Sequence, residues 1–339
     1  MTAEEDRVSL AATDTEIALR AAVTGTVERQ GSVLLPGRLV VDILRALDGE
    51  TVSIEYQADK GQAELVSGQA RFAVKTLPVE DFPRLPDAPG PDAMKVPAKA
   101  FARAIERVAR AASRDETRPV LTGILVSVAG EELRMVATDS YRLSVREAPL
   151  EASVTGEFEA NVPARALQEL SRLISDSSAD EISAAVQDNQ IVFATEEATL
   201  SSRMIEGQFP NYQQLLPESY EHEVTLSRPE LLGAVRRIGL MAQRNAPLRV
   251  KLEDGSMAIS AQTPDVGEAA ETLPVPYNAD PLEIGFNPQF LQDGLEAAES
   301  EEFTLKLISP LRPGLIEAGD GDGDGGRFLY LIMPVRLNV

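Results

Sequence analysis

Apolar residues recur along this chain at two spacings, and the two alternate from end to end. Steps of three and four residues, one face of an α-helix, join Leu39, Val40, Ile43, Leu44 and Leu47. They also join Phe101, Ile105, Val108 and Ala112, then Leu167, Leu170 and Leu173, then Phe290, Leu291 and Leu295. Prolines open these stretches at Pro36, Pro97, Pro163 and Pro288. A first helical position suits proline, because the N–H it lacks has no helical partner there. Another helix is expected over 229–241, where Ser227 and Glu230 have capping-box spacing. Short aliphatic runs between the helices read as strands: 8–10, 51–56, 63–66, 70–76, 120–128, 133–136, 141–145, 181–186, 190–194, 200–204 and 330–336. Ala129-Gly130-Glu131 and Asp188-Asn189 interrupt neighbouring runs and read as hairpin turns.

The order of these elements repeats. Ala12-Thr13-Asp14-Thr15 returns as Ala137-Thr138-Asp139-Ser140, and Ala261-Gln262-Thr263-Pro264-Asp265 is an eroded third copy. Phe82-Pro83 returns as Phe209-Pro210, and Pro36 as Pro163 and Pro288. The period, about 125 residues, is the size of a domain rather than of a solenoid unit. Three tandem domains are expected, over 1–88, 93–218 and 221–339, with Pro- and Gly-containing links at 85–92 and 217–223. The first copy lacks the opening helix and strand of the others. Those elements are expected upstream of Met1, and their lack leaves an apolar sheet face uncovered.

Charge sharpens the picture. With 32 Lys and Arg against 54 Asp and Glu the net charge is −22, which taken alone disfavours a nucleic-acid partner. The distribution argues otherwise. Lys99, Arg103, Arg107, Arg110 and Arg114 face one acid, Glu106, and the four arginines fall three or four apart. At the matching place in the third copy stand Arg228, Arg236, Arg237 and Arg244 against Glu230. Two basic helices thus sit in an acidic chain. The absence of cysteine excludes disulfides and thiolate chemistry. With no signal-peptide profile at the start and no long apolar run, it points to the cytoplasm.

Leu121-Thr122-Gly123-Ile124-Leu125, then Glu131 to Leu143, Asp81-Phe82-Pro83 with Phe209-Pro210-Asn211-Tyr212, and the closing Tyr330-Leu331-Ile332-Met333-Pro334-Val335-Arg336-Leu337 are similar to the bacterial β sliding clamp family. That family supplies the processivity subunit of the replicative DNA polymerase. The resemblance spans essentially the whole chain. It departs at the incomplete first domain and at Asn338 and Val339, which extend past the family's usual Arg-Leu end.

The resemblance implies an α+β DNA-clamp fold of three similar domains, with helices lining a two-subunit ring and antiparallel sheets outside. It implies sequence-independent contact with duplex DNA through Arg38, Arg103, Arg107, Arg110, Arg114, Arg118, Arg236 and Arg237. It also implies a cleft for short linear motifs of polymerases, the clamp loader and repair proteins. The matching cleft residues are Leu121, Thr138, Tyr141, Arg142, Leu143, Pro210, Leu215, Leu331, Ile332, Met333, Pro334, Val335 and Arg336. Arg142 and Arg336 are expected to donate to the peptide. A homodimer contact would set Phe72 and Val74 against Gly239 and Leu240, strand edge to strand edge.

Catalysis has little to work with. His222 is the only histidine, no Gly-Lys-Ser/Thr phosphate loop occurs, and Glu80-Asp81 and Asp180-Glu181 read as solvated acids. The alternating Asp320, Asp322 and Asp324 imitate the start of a calcium loop, but Leu331 stands where its twelfth-position carboxylate belongs. A flexible acidic loop is the better reading, and no metal or cofactor is expected. The rival function is a clamp-like scaffold that binds peptides as a monomer without closing a ring.

Overall fold

A computed structural model describes residues 1–5, 7–90, 93–150, 157–243, 246–319 and 325–337. Arg244, most of the acidic loop at 319–326, Asn338 and Val339 lie outside the described residues. The chain divides into two compact units, residues 1–93 with 183–203, and residues 94–182 with 204–339.

The elements follow in an order that repeats. The first copy runs β1 (Thr2–Glu4), β2 (Arg7–Thr13), β3 (Ile17–Val23), β4 (Gly31–Ser32), α1 (Gly37–Ala46), β5 (Ser53–Gln57), β6 (Gln62–Ser67) and β7 (Ala70–Lys75). The second runs β8 (Met94–Pro97), α2 (Ala98–Ala109), β9 (Gly123–Ala129), β10 (Glu132–Thr138), β11 (Arg142–Pro149), β12 (Glu157–Pro163), α3 (Ala164–Ser175), β13 (Glu181–Gln187), β14 (Gln190–Ala194) and β15 (Ala198–Arg203). The third runs β16 (His222–Ser227), α4 (Arg228–Gly239), β17 (Leu248–Glu253), β18 (Ser256–Thr263), β19 (Gly267–Pro274), β20 (Leu282–Phe286), α5 (Pro288–Ala298), β21 (Glu302–Leu307), β22 (Gly314–Ala318) and β23 (Arg327–Ile332).

In the first unit, β4-β1-β2-β3-β15-β14-β13 are hydrogen-bonded neighbours, and β5-β6-β7 form a separate three-stranded sheet. In the second unit one sheet runs β12-β9-β10-β11-β23-β22-β21-β16 and another β19-β18-β17-β20. The described ladders are antiparallel. The first half-sheet of one copy therefore joins the second half-sheet of the next, through β3·β15 and β11·β23.

The Ala-Thr-Asp motif that reveals the repeat is a hairpin turn. Asp139 Oδ1 accepts the N–H groups of Tyr141 and Arg142 at 2.9 and 3.0 Å, and Thr138 Oγ1 donates to the Arg142 carbonyl at 2.7 Å. Asp14 and Thr13 make the same bonds with Glu16 and Ile17. These bonds hold Ser140 and Thr15 at φ of 81° and 79°, a left-handed conformation that local side-chain bonding makes tolerable.

Helix ends depart from expectation. Pro36, Pro97 and Pro163 occupy the cap position just before the helix. Ser227 caps α4 without a side-chain bond; β16 is still in its ladder there, and Arg228 N–H bonds the Glu301 carbonyl instead. Asn287, unremarked in the sequence, caps α5 by accepting from Gln289 and Phe290. The last strand lies earlier than 330–336. β23 ends at Ile332, and Val335 N–H bonds the Gly285 carbonyl of β20.

Helices α2 and α3 pack together, as do α4 and α5. Helix α1 lies over a sheet. Its inner face, Ile43 with Val40 and Leu47, covers the core of the β5-β6-β7 sheet. Leu39, Val41 and Leu44 on α1, Leu10 on β2 and Val23 on β3 are exposed.

Gly294 sets how closely α5 approaches the β23 strand. A Cβ there would lie 2.5 Å from two ring carbons of Tyr330, which is fully buried. Gly294→Ala is expected to lower unfolding free energy by about 1–3 kcal/mol, the usual cost of overpacking. Gly31→Ala, with open space at that Cβ, should change it by under about 0.5 kcal/mol. Urea midpoints of the two variants test the contrast.

Candidate functional site

A groove of about 450 Å3 opens on the second unit, over the end of the β11·β23 joint. Thr138, Ser140, Arg142 and Leu143 line it from the hairpin turn, Leu331 and Met333 from the end of β23, and Gln214, Leu215 and Pro217 from the segment after the second copy's strands. Ile308, Leu311, Arg312 and Pro313, in the loop between β21 and β22, complete it. Leu215, Leu311 and Met333 are exposed, Leu311 at 66%. An exposed apolar cluster around one concavity marks a binding site more than a lone exposed leucine does.

Of the residues expected in a cleft, Thr138, Arg142, Leu143, Leu215, Leu331 and Met333 come together here. Tyr141 stands exposed beside it, its carbonyl bonded to Met333 N–H at 2.8 Å. Leu121 and Ile332 are buried. Pro210 lines a second, polar cavity with Phe209, Tyr212, Arg134 and Glu159. Pro334, Val335 and Arg336 lie outside the lining, and Arg336 is exposed. Sequence reasoning missed the 308–313 loop, whose signal was Ile308 and Leu311 set among prolines, where a strand connection is ordinarily polar.

Arg142 does not offer its donors to a peptide, contrary to expectation. Its side chain is 10% exposed and its hydrogens are engaged inside the protein. Nε donates to Asp139 Oδ2 at 3.0 Å, Nη1 to Asp293 Oδ2 at 2.5 Å and to Tyr330 Oη at 3.3 Å, and Nη2 to the Arg110 carbonyl. The guanidinium carbon lies 4.4 Å from the centre of the Phe290 ring. Burial works to lower its pKa, but Tyr330, Asp293 and Asp139 outweigh burial and raise it. Arg142 thus ties the groove floor to α5 and to the end of α2.

The basic faces also sort by burial. Arg38 is exposed at the start of α1, as are Arg103 on α2 and Arg110, Arg114 and Arg118 at or beyond its end. Arg107 is not a surface residue: it is 1% exposed, and Nε and Nη2 donate to Glu299 Oε2 at 3.3 and 2.9 Å. The residue after α5 covers the flank of α2 where Arg107 projects, so helical spacing alone placed it wrongly. Arg118 pairs with Asp115 and donates to Ser140 Oγ at 3.0 Å, beside the groove. Exposed Arg236 pairs with Glu296 at 2.8 Å, and exposed Arg237 with Glu271 on β19. Arg165 and Arg172, not singled out beforehand, are exposed on α3.

The strand edges expected to meet a second copy are open. Among the described residues β7 pairs only with β6, and β19 only with β18. The Val74 side chain lies in the core with Phe72 packed against it, so β7 presents its backbone edge rather than these side chains. Leu240, just past α4, is 74% exposed, with Gly239 half-buried beside it. Among the described residues no three His, Asp or Glu side chains gather as a metal site, and no helix is long and apolar enough to cross a membrane.

Comparison with known proteins covers the whole chain. The DNA polymerase III β-subunit family models match by their N-terminal domain at residues 1–86, their central domain at 95–211 and their C-terminal domain at 213–336. The β sliding clamp of Streptomyces coelicolor is 35% identical over 347 aligned residues, covering 99% of this chain and 90% of that one. That of a Synechocystis strain is 32% identical with the same coverage. Among solved structures, the sliding clamp of Bacillus subtilis superposes with a TM-score of 0.88 at 28% identity, over 99% of this chain and 90% of that one. The DNA polymerase III β subunit of Pseudomonas aeruginosa gives 0.85 at 29%, over 99% and 91%.

Two outcomes follow from the charge network. Arg142→Ala leaves Asp293 buried without this partner and is expected to destabilise the protein by about 3 kcal/mol, read from urea unfolding. Glu296 receives hydrogen bonds from Arg236, Gln292 and Arg110. Burial works to raise its pKa, and these partners overcome burial and bring it down to about 2. A depressed carboxyl contributes stability that is present above the ordinary value, 4.5, and is lost as pH falls from there through about 2. The stability difference between wild type and Glu296→Gln should therefore shrink across that window; a constant difference would refute it.

Proposed function

The chain belongs to the family of the DNA polymerase III β subunit, the DNA sliding clamp, a non-catalytic accessory of the polymerase, and on that footing we propose that two copies close a ring around duplex DNA and hold client proteins in the groove of the second unit. The observation that carries the ring is the repeated strand joint. β3 pairs with β15, and β11, its counterpart in the second copy, pairs with β23. The corresponding strand of the third copy is β19, and the counterpart of β15 and β23 in the first copy is β7. Both edges are open. β19 of one copy on β7 of another repeats a joint the chain makes twice already, and it covers edges that would otherwise invite aggregation. Two such joints, β7 of each copy on β19 of the other, close the assembly.

Arg38, Arg103, Arg110, Arg114, Arg118, Arg236 and Arg237 then serve as phosphate contacts. Such contacts hold duplex DNA without reading its sequence, as a sliding protein requires. The acidic remainder of the surface discourages DNA from binding elsewhere. The groove takes the apolar anchors of a short client peptide. Leu215, Leu311 and Met333 form its walls, and Met333 repacks around different anchors. Polymerases, a clamp loader and repair proteins are the proposed clients. Opening the ring is the task of a separate ATPase, since this chain has no phosphate loop.

Native mass by light scattering should lie near twice 36.6 kDa, and the protein should stay on circular DNA and run off the linearised form. A mass near 36.6 kDa would favour a monomeric peptide-binding scaffold. Met333→Ala and Leu215→Ala are each expected to weaken a client peptide by about tenfold, the loss of a principal anchor contact, with little change in unfolding midpoint because both side chains are exposed.

A further inference from the structure

Helix α5 stands apart from the other helices in charge. It carries no Lys or Arg between Pro288 and Ala298, yet bears Asp293 and Glu296, with Glu299 immediately after it. It packs against both α2 and α4. Glu296 reaches both neighbours. Oε2 accepts from Arg110 at the end of α2, and Oε1 accepts from Arg236 of α4 at 2.8 Å. Gln292 Nε2 steadies the same oxygen at 2.9 Å, and Asp293 Oδ1 stands 3.6 Å from Arg110. The acid is shielded, its side chain 17% exposed, whereas Arg110 and Arg236 are 50% and 56% exposed. Two reachable cations are thus held by one sheltered anion.

We propose that Glu296 sets the strength with which the helix face of the second unit holds DNA, by neutralising Arg110 and Arg236 in competition with phosphate. This rests on the reading that these arginines face DNA.

Ion pairs made by half-exposed arginines are screened by solvent and readily exchanged, so a phosphate can displace the carboxylate. Guanidinium matches phosphate geometry as well as it matches carboxylate. The displacement is not free, because Glu296 must then lie uncompensated beside incoming phosphate. The result is a face with many arginines but moderated hold, which suits contacts that form and break as the duplex moves. Arg237 repeats the device against Glu271, which is also an exposed arginine on a less exposed carboxylate.

The test is a salt titration of binding to a short fluorescent duplex, by anisotropy. Glu296→Gln and Glu296→Ala are read beside wild type, Glu296→Asp and the double variant Arg110→Gln/Arg236→Gln. Removing the charge is expected to tighten binding about tenfold near 0.1 M salt, and to steepen the log–log salt slope by about 0.9 for each phosphate newly engaged. Glu296→Asp should keep the wild-type slope. In the double-variant background, Glu296→Gln should have no effect. A purely structural tie between helices would lower the melting temperature and leave slope and affinity alone, overturning the inference. Weaker binding by the double variant without a gain in Glu296→Gln also overturns it, while the DNA-facing reading stands. No change in either overturns that reading, and the inference with it.

Discussion

Every half-sheet in this protein must dispose of an edge. A strand with an unpaired row of N–H and C=O groups is both costly to bury alone and open to pairing with another chain. The chain solves the problem twice internally, at β3·β15 and β11·β23, by joining half-sheets from successive copies of one domain. The groove exists because of the second joint: its floor is the end of β11 and of β23, where Leu143 faces Leu331 across the ladder. The same constraint leaves β7 and β19, the counterparts of the joined strands, each with an unpaired edge. Copying a domain in tandem thus fixes a joint, a site beside the joint, and the surface through which further copies would add.

Beneath the joint of the second unit, buried charge does work that apolar packing does elsewhere. Arg107 and Arg142 are nearly inaccessible, and each reaches an acid on or just after α5, Glu299 and Asp293. A buried cation is costly unless paired and hydrogen-bonded. Such pairs therefore permit few alternative placements of α5 against α2 and β11. Glu296, one turn from Asp293, extends the same set of acids to the exposed Arg110 and Arg236. One helix free of Lys and Arg serves both as the internal counter-charge of the joint and as the counter-charge of the basic surface.

The fold was largely legible in the sequence, because its signals are local. Period-four apolar stretches opened by prolines mark α1, α2, α3 and α5. The Ala-Thr-Asp motif marks a hairpin whose bonds span four residues at most. The site was legible only in part. Helical spacing put Arg107 with Arg103 and Arg110, but its environment is decided by Glu299, 192 residues away, and that of Arg142 by Asp293, 151 residues away. No local period carries such information. The 308–313 loop was missed for the same reason: its apolar residues acquire meaning only once β21 and β22 bring it beside the turn at Ser140.

Why the groove stays open follows from the same parts. Exposed Leu215, Leu311 and Met333 would gain by folding inward, and a pliable floor would let them do so. The floor is not pliable. Leu143 and Leu331 are already packed with Val136, Val145, Tyr212, Leu315 and Leu329 in a close-packed cluster, which has no room for another side chain. The turn above it is fixed by the Asp139 carboxylate and by the Thr138 hydroxyl. Arg142 anchors the start of β11 to α5 and to the end of α2. The floor and the turn of the groove are therefore ordered during folding, and a peptide bound there as proposed would not have to order them. On the proposed reading, adaptation to anchors of different shape would fall to the unbranched side chain of Met333, while the joint beneath it stays unchanged.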